Sequence, residues 1–367
     1  MIRAVVVLPG LVTPDSEVDV LRESQRLLEP LSATGVVERI SSVPNAWVPE
    51  AAWLGVDPLR VPVPQGPLTV SALKVDPPER SVHFHLNLGT LSEEGLVQEV
   101  GEAPSAVDIE VLKGLVQRLD TSALKSVWGW GTDHALVWER GSIELGTVPY
   151  ADVVGKSVVG SLPEGDGESI LRRYIDDSVN LLQDIELNRR RNGEGLQPWN
   201  ILWPWGQGFR PNVPNLAVRR GEVAQVESRS LRLAGLSRLV GYRHGDLTKF
   251  GRRLLPDWTR LSHIAETHQP TVTLIESIEQ ATRARRWDEA CAMFKTMMDS
   301  FVSPLLSKRP FRLALFAPGL SGQTGLLLRY DSEVKQENRV PFDLRVVEDS
   351  KVTVRPDWEA VESALRP

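Results

Sequence analysis

The sequence predicts an α/β fold: a mainly parallel sheet with helices on both faces, with a small α+β unit inserted into it. Three observations carry this. Short apolar runs without polar interruption, such as Ala4 to Leu8, recur along the chain; strands of that kind are buried on both faces. Amphipathic helical stretches alternate with them. Between the prolines of 58–67 and about residue 142 the pattern changes to alternating strands and a hairpin.

Taken in order, AVVVL at 4–8 reads as a buried strand stopped by Pro9 and Gly10. Thr13 to Ser16 opens a helix whose Val20, Leu21, Leu27, Leu28 and Leu31 recur at helical spacing. Gly35 ends it, and Val36 to Ile40 is a second strand, so this segment reads as a βαβ unit. The proline-rich stretch 58–67 marks a boundary. Beyond it, Ser81 to Leu88 alternates as a strand. Ser105 to Leu119 is a helix opened by a capping box of Ser105 and Asp108. Ser126 to Trp130 and His134 to Glu139 flank a Gly131-Thr132-Asp133 turn and form a hairpin. Glu168 to Gln183 is an amphipathic helix. Asn200 to Trp205, Ala224 to Glu227, Val272 to Glu276 and Arg312 to Phe316 are further strands, with a helix over Trp287 to Leu305. The expected division is a core of 1–67 and 143–367 with an inserted cap of 68–142.

The 367 residues carry a net charge of -6, with 41% apolar residues and one cysteine, Cys291. That balance gives no electrostatic reason to expect nucleic acid or an anionic membrane as partner. No run approaches the ~20 apolar residues of a bilayer span. The N-terminal apolar run is too short for a signal peptide, so a cytoplasmic location is expected.

Several segments, in order, resemble the archaeal-type cofactor-independent phosphoglycerate mutases of the alkaline phosphatase superfamily. WLGVDP at 53–58 is similar to that family's LGYDP segment, and VHFHLNLGTL at 82–91 to its AFRCNLVTL strand. Asn188 to Arg191 followed by NILWPWGQG at 200–208 resembles its N-x-x-R and AN-x-IW-x-WGQG stretch. Ser230 to Gly241 is similar to its DLVRGIARLVG region, and Val340-Pro341-Phe342 to its closing PVPF strand. The resemblance implies that fold, two divalent metals, a phosphoryl-accepting serine and phosphoglycerate as substrate.

Two clustered cations need carboxylates and imidazoles, and the positions that match the family's ligands lack them. The metal-binding Asp after the first strand matches Pro9. The nucleophilic serine matches Ala46, with Ser41 and Ser42 nearby. The family's Asp-x-x-Gly-His cluster matches Gln280 and Ala284, where the surrounding run 281–286 is basic. The Asp-His pair after the next strand matches Pro318 and Gly319, and the last histidine falls near Lys335. No histidine follows His268.

Other residues offer chemistry. His83 and His85 share a strand face about 6 to 7 Å apart, a spacing that suits either a metal or a plain structural pair. His85, at the family's strand arginine, and the adjacent Asn87 are candidates for a residual anion pocket. His244 and Asp246 form a base–acid pair in a turn, with no nucleophile beside them in sequence. Arg190 belongs to one basic cluster, 189–191, and 283–286 form another; both suit solvated helix faces or an acidic ligand. Ser321 to Gly325 is a Gly-rich loop without a P-loop lysine. Trp128, Trp130 and Trp138 form either core or an exposed aromatic patch.

The expected function is therefore that of a phosphoglycerate-mutase-like protein without metals, cofactor or nucleophile. It would be kept for binding, regulation or scaffolding, with a protein or a phosphorylated small molecule as partner and self-association left open. The alternatives are a rebuilt enzyme site using His85, His244, Asp246 and the arginines, or a working mutase.

Overall fold

The computed structural model describes residues 2–9, 35–41, 48–245, 257–267, 269–306, 308, 310–317, 324–332, 355–356, 359, 361–362 and 365. Two compact units divide the chain, Met1–Pro62 with Val213–Pro367, and Val63–Asn212. The first boundary falls inside the proline-rich stretch. The second lies 70 residues beyond the expected 142, because the strand at 201–208 joins the inserted unit rather than the core.

The first unit begins with β1 (Ile2–Val7) and β2 (Gly35–Ser41). The inserted unit then adds β3 (Ser81–Leu91), β4 (Val97–Gln98), β5 (Leu124–Trp130), β6 (Asp133–Glu139), the short pair β7 (Leu145–Gly146) and β8 (Glu164–Gly165), and β9 (Ile201–Gly208). The chain returns to the first unit with β10 (Gln225–Glu227), β11 (Arg243–His244), β12 (Thr271–Leu274), β13 (Phe311–Ala317), β14 (Thr324–Asp331) and β15 (Arg355–Pro356).

In the first unit the strand order is β11-β10-β12-β1-β13-β14-β2-β15. All neighbours are parallel except at β14, which runs antiparallel to both β13 and β2. β2 therefore points the same way as β1 but is not its neighbour. The expected βαβ unit has its direction right and its adjacency wrong. β1 is central, and its Ala4 and Val6, with Leu8 just beyond it, pack with Ile278, Phe294, Phe301 and Phe311. The helix Trp287–Met297 supplies Met293, Phe294 and Met297 to that core at helical spacing. Buried Arg3 is held by both carboxylate oxygens of Glu222 at 2.6 Å and by the Leu365 carbonyl at 3.1 Å. The helix expected over 13–31, the loop residues 321–323 and the strand at 340–342 lie outside the described residues.

In the inserted unit β3 lies between β6 and β9, antiparallel to both, with β5 beyond β6. The hairpin forms as expected, and Gly131 takes φ +59, a left-handed conformation that costs glycine little. The Ser105–Asp108 capping box is present at the helix Ala106–Val116. Val82, Phe84, Leu86 and Leu88 of β3 pack with Leu171, Tyr174 and Trp199. Trp138 is buried against Phe84, while Trp128 is half-buried over His134, so these two tryptophans pack inward. Asn188, fully buried, ties this unit together. Its amide donates to the Leu182 and Trp199 carbonyls at 2.8 and 2.9 Å, and its oxygen accepts from the Trp199 N–H at 3.0 Å.

Candidate functional site

In a doubly wound sheet, loops at the carboxyl ends of the strands carry the chemistry. β10 and β11 are parallel neighbours, with Val226 opposite His244. The helix Leu231–Leu239 lies between them in sequence, and Ser230 caps it by accepting the Leu233 N–H. This crossover brings Ser228, just past the end of β10, to His244, the last residue of β11. Ser228 Oγ lies 2.9 Å from His244 Nε2. His244 Nδ1 lies 2.7 Å from the Gly245 carbonyl. A carbonyl only accepts, so Nδ1 carries the proton, and in the neutral ring Nε2 accepts from the serine hydroxyl. The hydroxyl also lies 3.5 Å from the Ser230 carbonyl, the weaker alternative. Ser228 is 2% exposed and His244 is half-buried.

Glu227, 1% exposed, stands beside this pair. Its Oε1 accepts from Arg260 at 2.6 Å and from Gln225 at 2.9 Å. Its Oε2 is buried with no hydrogen-bond partner among the described residues. Burial raises its pKa, against the lowering effect of Arg260. The carboxylate rests against Gly245, where any Cβ would collide with it. At the end of β12, Glu276 is raised to about 7, chiefly by burial; Arg229 opposes the shift, and Glu279 and Glu50 add to it. Glu50 pairs with Arg232 at 3.3 Å.

The described residues singled out from the sequence are divided between the two units. His85 and Asn87 lie in the inserted unit. His85 is buried, with Nδ1 2.8 Å from Thr69 Oγ1 and Nε2 3.2 Å from Asp133 Oδ1. Asn87 donates to Asp133 at 3.2 Å and accepts from the Trp205 indole at 2.6 Å. With both ring nitrogens engaged, His85 has no free donor for an anion and no free lone pair for a metal. His83, 2% exposed, is lowered to about 4, first by burial and then by Arg210. Both faces of β3 are buried, so the pair is structural. Arg190 is exposed on the helix Glu186–Gly193 and pairs with Asp108 at 3.5 Å. Arg191 of the same cluster stacks on Trp199, 3.5 Å from the ring centre. Arg283 and Arg286 pair with Glu279 and Glu289 on a solvated face. Asp246, Ala46, Pro318, Gly319 and Lys335 lie outside the described residues. The hydroxyl that the sequence reading of His244 did not supply is that of Ser228, 16 positions earlier. A serine directly after a short strand was the available signal, and it needed strand adjacency to be read.

Against known proteins, no family model matches the chain. It is 29% identical over 208 residues to a 2,3-bisphosphoglycerate-independent phosphoglycerate mutase of Methanothrix thermoacetophila, covering 54% of this chain and 50% of that one. It is 27% identical over 190 residues to a probable enzyme of the same name from Geobacter sulfurreducens, covering 50% and 48%. The matches thus span about half the length of these curated relatives. In structure it matches a cofactor-independent phosphoglycerate mutase of Thermoplasma acidophilum with TM-score 0.62 at 16% identity, covering 98% of both chains. The chain is thus similar in part of its sequence, and in its fold, to cofactor-independent phosphoglycerate mutases. A Pyrococcus horikoshii protein has the same fold, with TM-score 0.72 at 13% identity, covering 99% of this chain and 96% of that one. No helix among the described residues is long and apolar enough to cross a membrane.

Of the positions that the resemblance matches to metal ligands, Pro9, Gln280 and Ala284 lie among the described residues. Pro9, buried at the carboxyl end of β1, has no donor atom. Gln280, on the helix Glu276–Arg283, and Ala284, just after it, are exposed. Glu227 Oε1 accepts from Arg260, and Glu276 sits beside Arg229 with a raised pKa. Among the described residues no group of three or more His, Cys, Asp or Glu is placed to hold a metal ion.

Proposed function

We propose that this chain is a phosphoglycerate-mutase-like protein that does not run a two-metal phosphoryl transfer. The observation that carries the reading is Pro9 at the end of the central strand, where the resemblance calls for a metal-binding carboxylate. A two-metal mechanism needs both ions to polarise the phosphoryl group and activate the nucleophile, and proline can hold neither. The arginine-paired carboxylates around β10 and β12 suit neither ion, because a guanidinium beside a carboxylate competes with the metal for its oxygens. The fold is retained for another task, in binding or in chemistry without metals.

Purified full-length protein should carry fewer than two tightly bound divalent metals per chain by elemental analysis. Turnover of 3-phosphoglycerate with added Mn²⁺, Mg²⁺ or Zn²⁺ should stay below ~1 s⁻¹, the low end of ordinary enzymes. A metal-dependent rate above that, or two metals retained through purification, overturns the reading.

A further inference from the structure

We propose that Ser228 and His244 are the nucleophile and general base of a metal-free site that transfers the acyl group of a small ester to water. A serine hydroxyl is a weak nucleophile until a base in hydrogen-bond reach takes its proton, and the base works best when a third group fixes its ring. All three parts are present. Ser228 Oγ is 2.9 Å from His244 Nε2, and the Gly245 carbonyl, 2.7 Å from Nδ1, holds the tautomer that leaves Nε2 as acceptor. The pair stands at the carboxyl ends of adjacent parallel strands, where this class of sheet presents ligands. Beside it, Glu227 Oε2 is a buried acceptor without a hydrogen-bond partner among the described residues, on a side chain 1% exposed. Such an atom is costly to leave unmet, and a bound donor group would satisfy it. The 2% exposure of Ser228 restricts the substrate to a slim acyl group.

The step balances without a metal or redox partner. Ser228 Oγ bonds to the acyl carbon as its proton passes to Nε2 and the carbonyl electron pair moves onto oxygen. Collapse of this adduct breaks the ester C–O bond, and the leaving alcohol takes the proton from Nε2. Water then attacks the acyl-serine with Nε2 as base, releasing the acid and restoring the hydroxyl. The sum is ester plus water giving acid plus alcohol. The proposal is independent of the metal question, because its test contains no metal and reads a different residue.

The test treats the full chain, in the presence of EDTA, with a small dialkyl fluorophosphate. An activated serine displaces fluoride and keeps the phosphoryl group. The expected result is one adduct per chain, mapped by peptide mass spectrometry to Ser228, with matching fluoride release. S228A should show none. H244Q, with an unchanged melting temperature, should label about 100-fold more slowly, the usual contribution of a general base. A burst of about one 4-nitrophenol per chain from 4-nitrophenyl acetate should accompany labelling in the wild type and vanish in S228A. S228C, which keeps a side chain of similar size, should gain an iodoacetamide-reactive thiol at that position even if S228A folds poorly. Absence of an adduct in the wild type, an adduct mapped elsewhere, an unchanged rate in H244Q, or a folded S228C inert to iodoacetamide each overturns the proposal.

Discussion

Each unit holds a hydroxyl hydrogen-bonded to an imidazole, and the two pairs differ in where they stand on their sheets. In the inserted unit, Thr69 lies inside the helix Gln65–Ala72, and its hydroxyl also reaches the Gln65 carbonyl at 3.0 Å. Its partner His85 has Asp133 at the other nitrogen and sits buried in the middle of a sheet. Both ring nitrogens of His85 are engaged by side chains of its own unit. In the first unit, Ser228 follows the end of a strand, and His244 is half-buried with its far nitrogen fixed by a backbone carbonyl. The same two functional groups thus serve as a structural tie in one place and as a base with an oriented lone pair in the other. The lesson is positional: strand centres lock such pairs in, and strand ends present them.

The contrast extends to pH, where the buried groups of the two units carry opposite signs. The largest expected effect is acid lability of the inserted unit. His134 is lowered from 6.5 to about 3 by burial, with Asp133 opposing and His85 adding; His83 is lowered to about 4. Above pH 6.5 both rings are neutral in either state. As pH falls toward 4 the unfolded chain takes up protons that the folded chain refuses, so stability falls at roughly 1.4 kcal/mol per pH unit for each ring. Urea unfolding between pH 7 and 4.5, followed by tryptophan fluorescence, should show this slope, and H83Q should remove about half of it. A flat profile would break the comparison.

Next in size is the polar tie of the inserted unit. Asn188→Ala strands three buried backbone groups and should cost about 3 kcal/mol, read from the urea midpoint. It should leave fluorophosphate labelling of Ser228 unchanged in the native protein. A cost below about 1 kcal/mol would show that those groups find other partners.

Arg260→Ala tests the first unit in the same way. It removes the guanidinium from Glu227, and an uncompensated buried carboxylate should cost about 2 to 3 kcal/mol, below the full value for a buried pair because Arg260 is 41% exposed. The E227Q/R260A double variant should recover part of that loss. If the double variant is no more stable than R260A, the charge of Glu227 is not what the arginine answers.

A further effect, of the same order, concerns Glu276. Its folded pKa of about 7 lies above the ordinary 4.5, so its contribution is full below pH 4.5 and is lost as pH rises through 7. E276Q should flatten a fall in melting temperature over that window. A fall that steepens in E276Q would contradict the sign.

How much of this was legible beforehand varies by element. The runs at 4–8 and 312–316, the capping box at Ser105 and the turn at Gly131 rest on neighbours a few residues apart, and all appear where the sequence put them. The placement of β9 did not follow the same logic. Its apolar run reads as a core strand, yet it pairs with β3 more than 100 positions earlier. His83 and His85 were legible as a same-face pair but not as buried, because β3 is covered on both sides.

The sequence by itself determined the strands near 4–8 and 312–316, the Ser105 capping box, the Gly131 turn, the likeness to the mutases and the donorless Pro9, since each depends on residue chemistry and short-range spacing. Only the tertiary structure decided that Ser228 meets His244, that Glu227 lies buried against Gly245, and that His85 has no nitrogen to spare. Those contacts depend on which strands become neighbours, and that choice is made by burying faces across the whole sheet rather than by any local stretch of the chain.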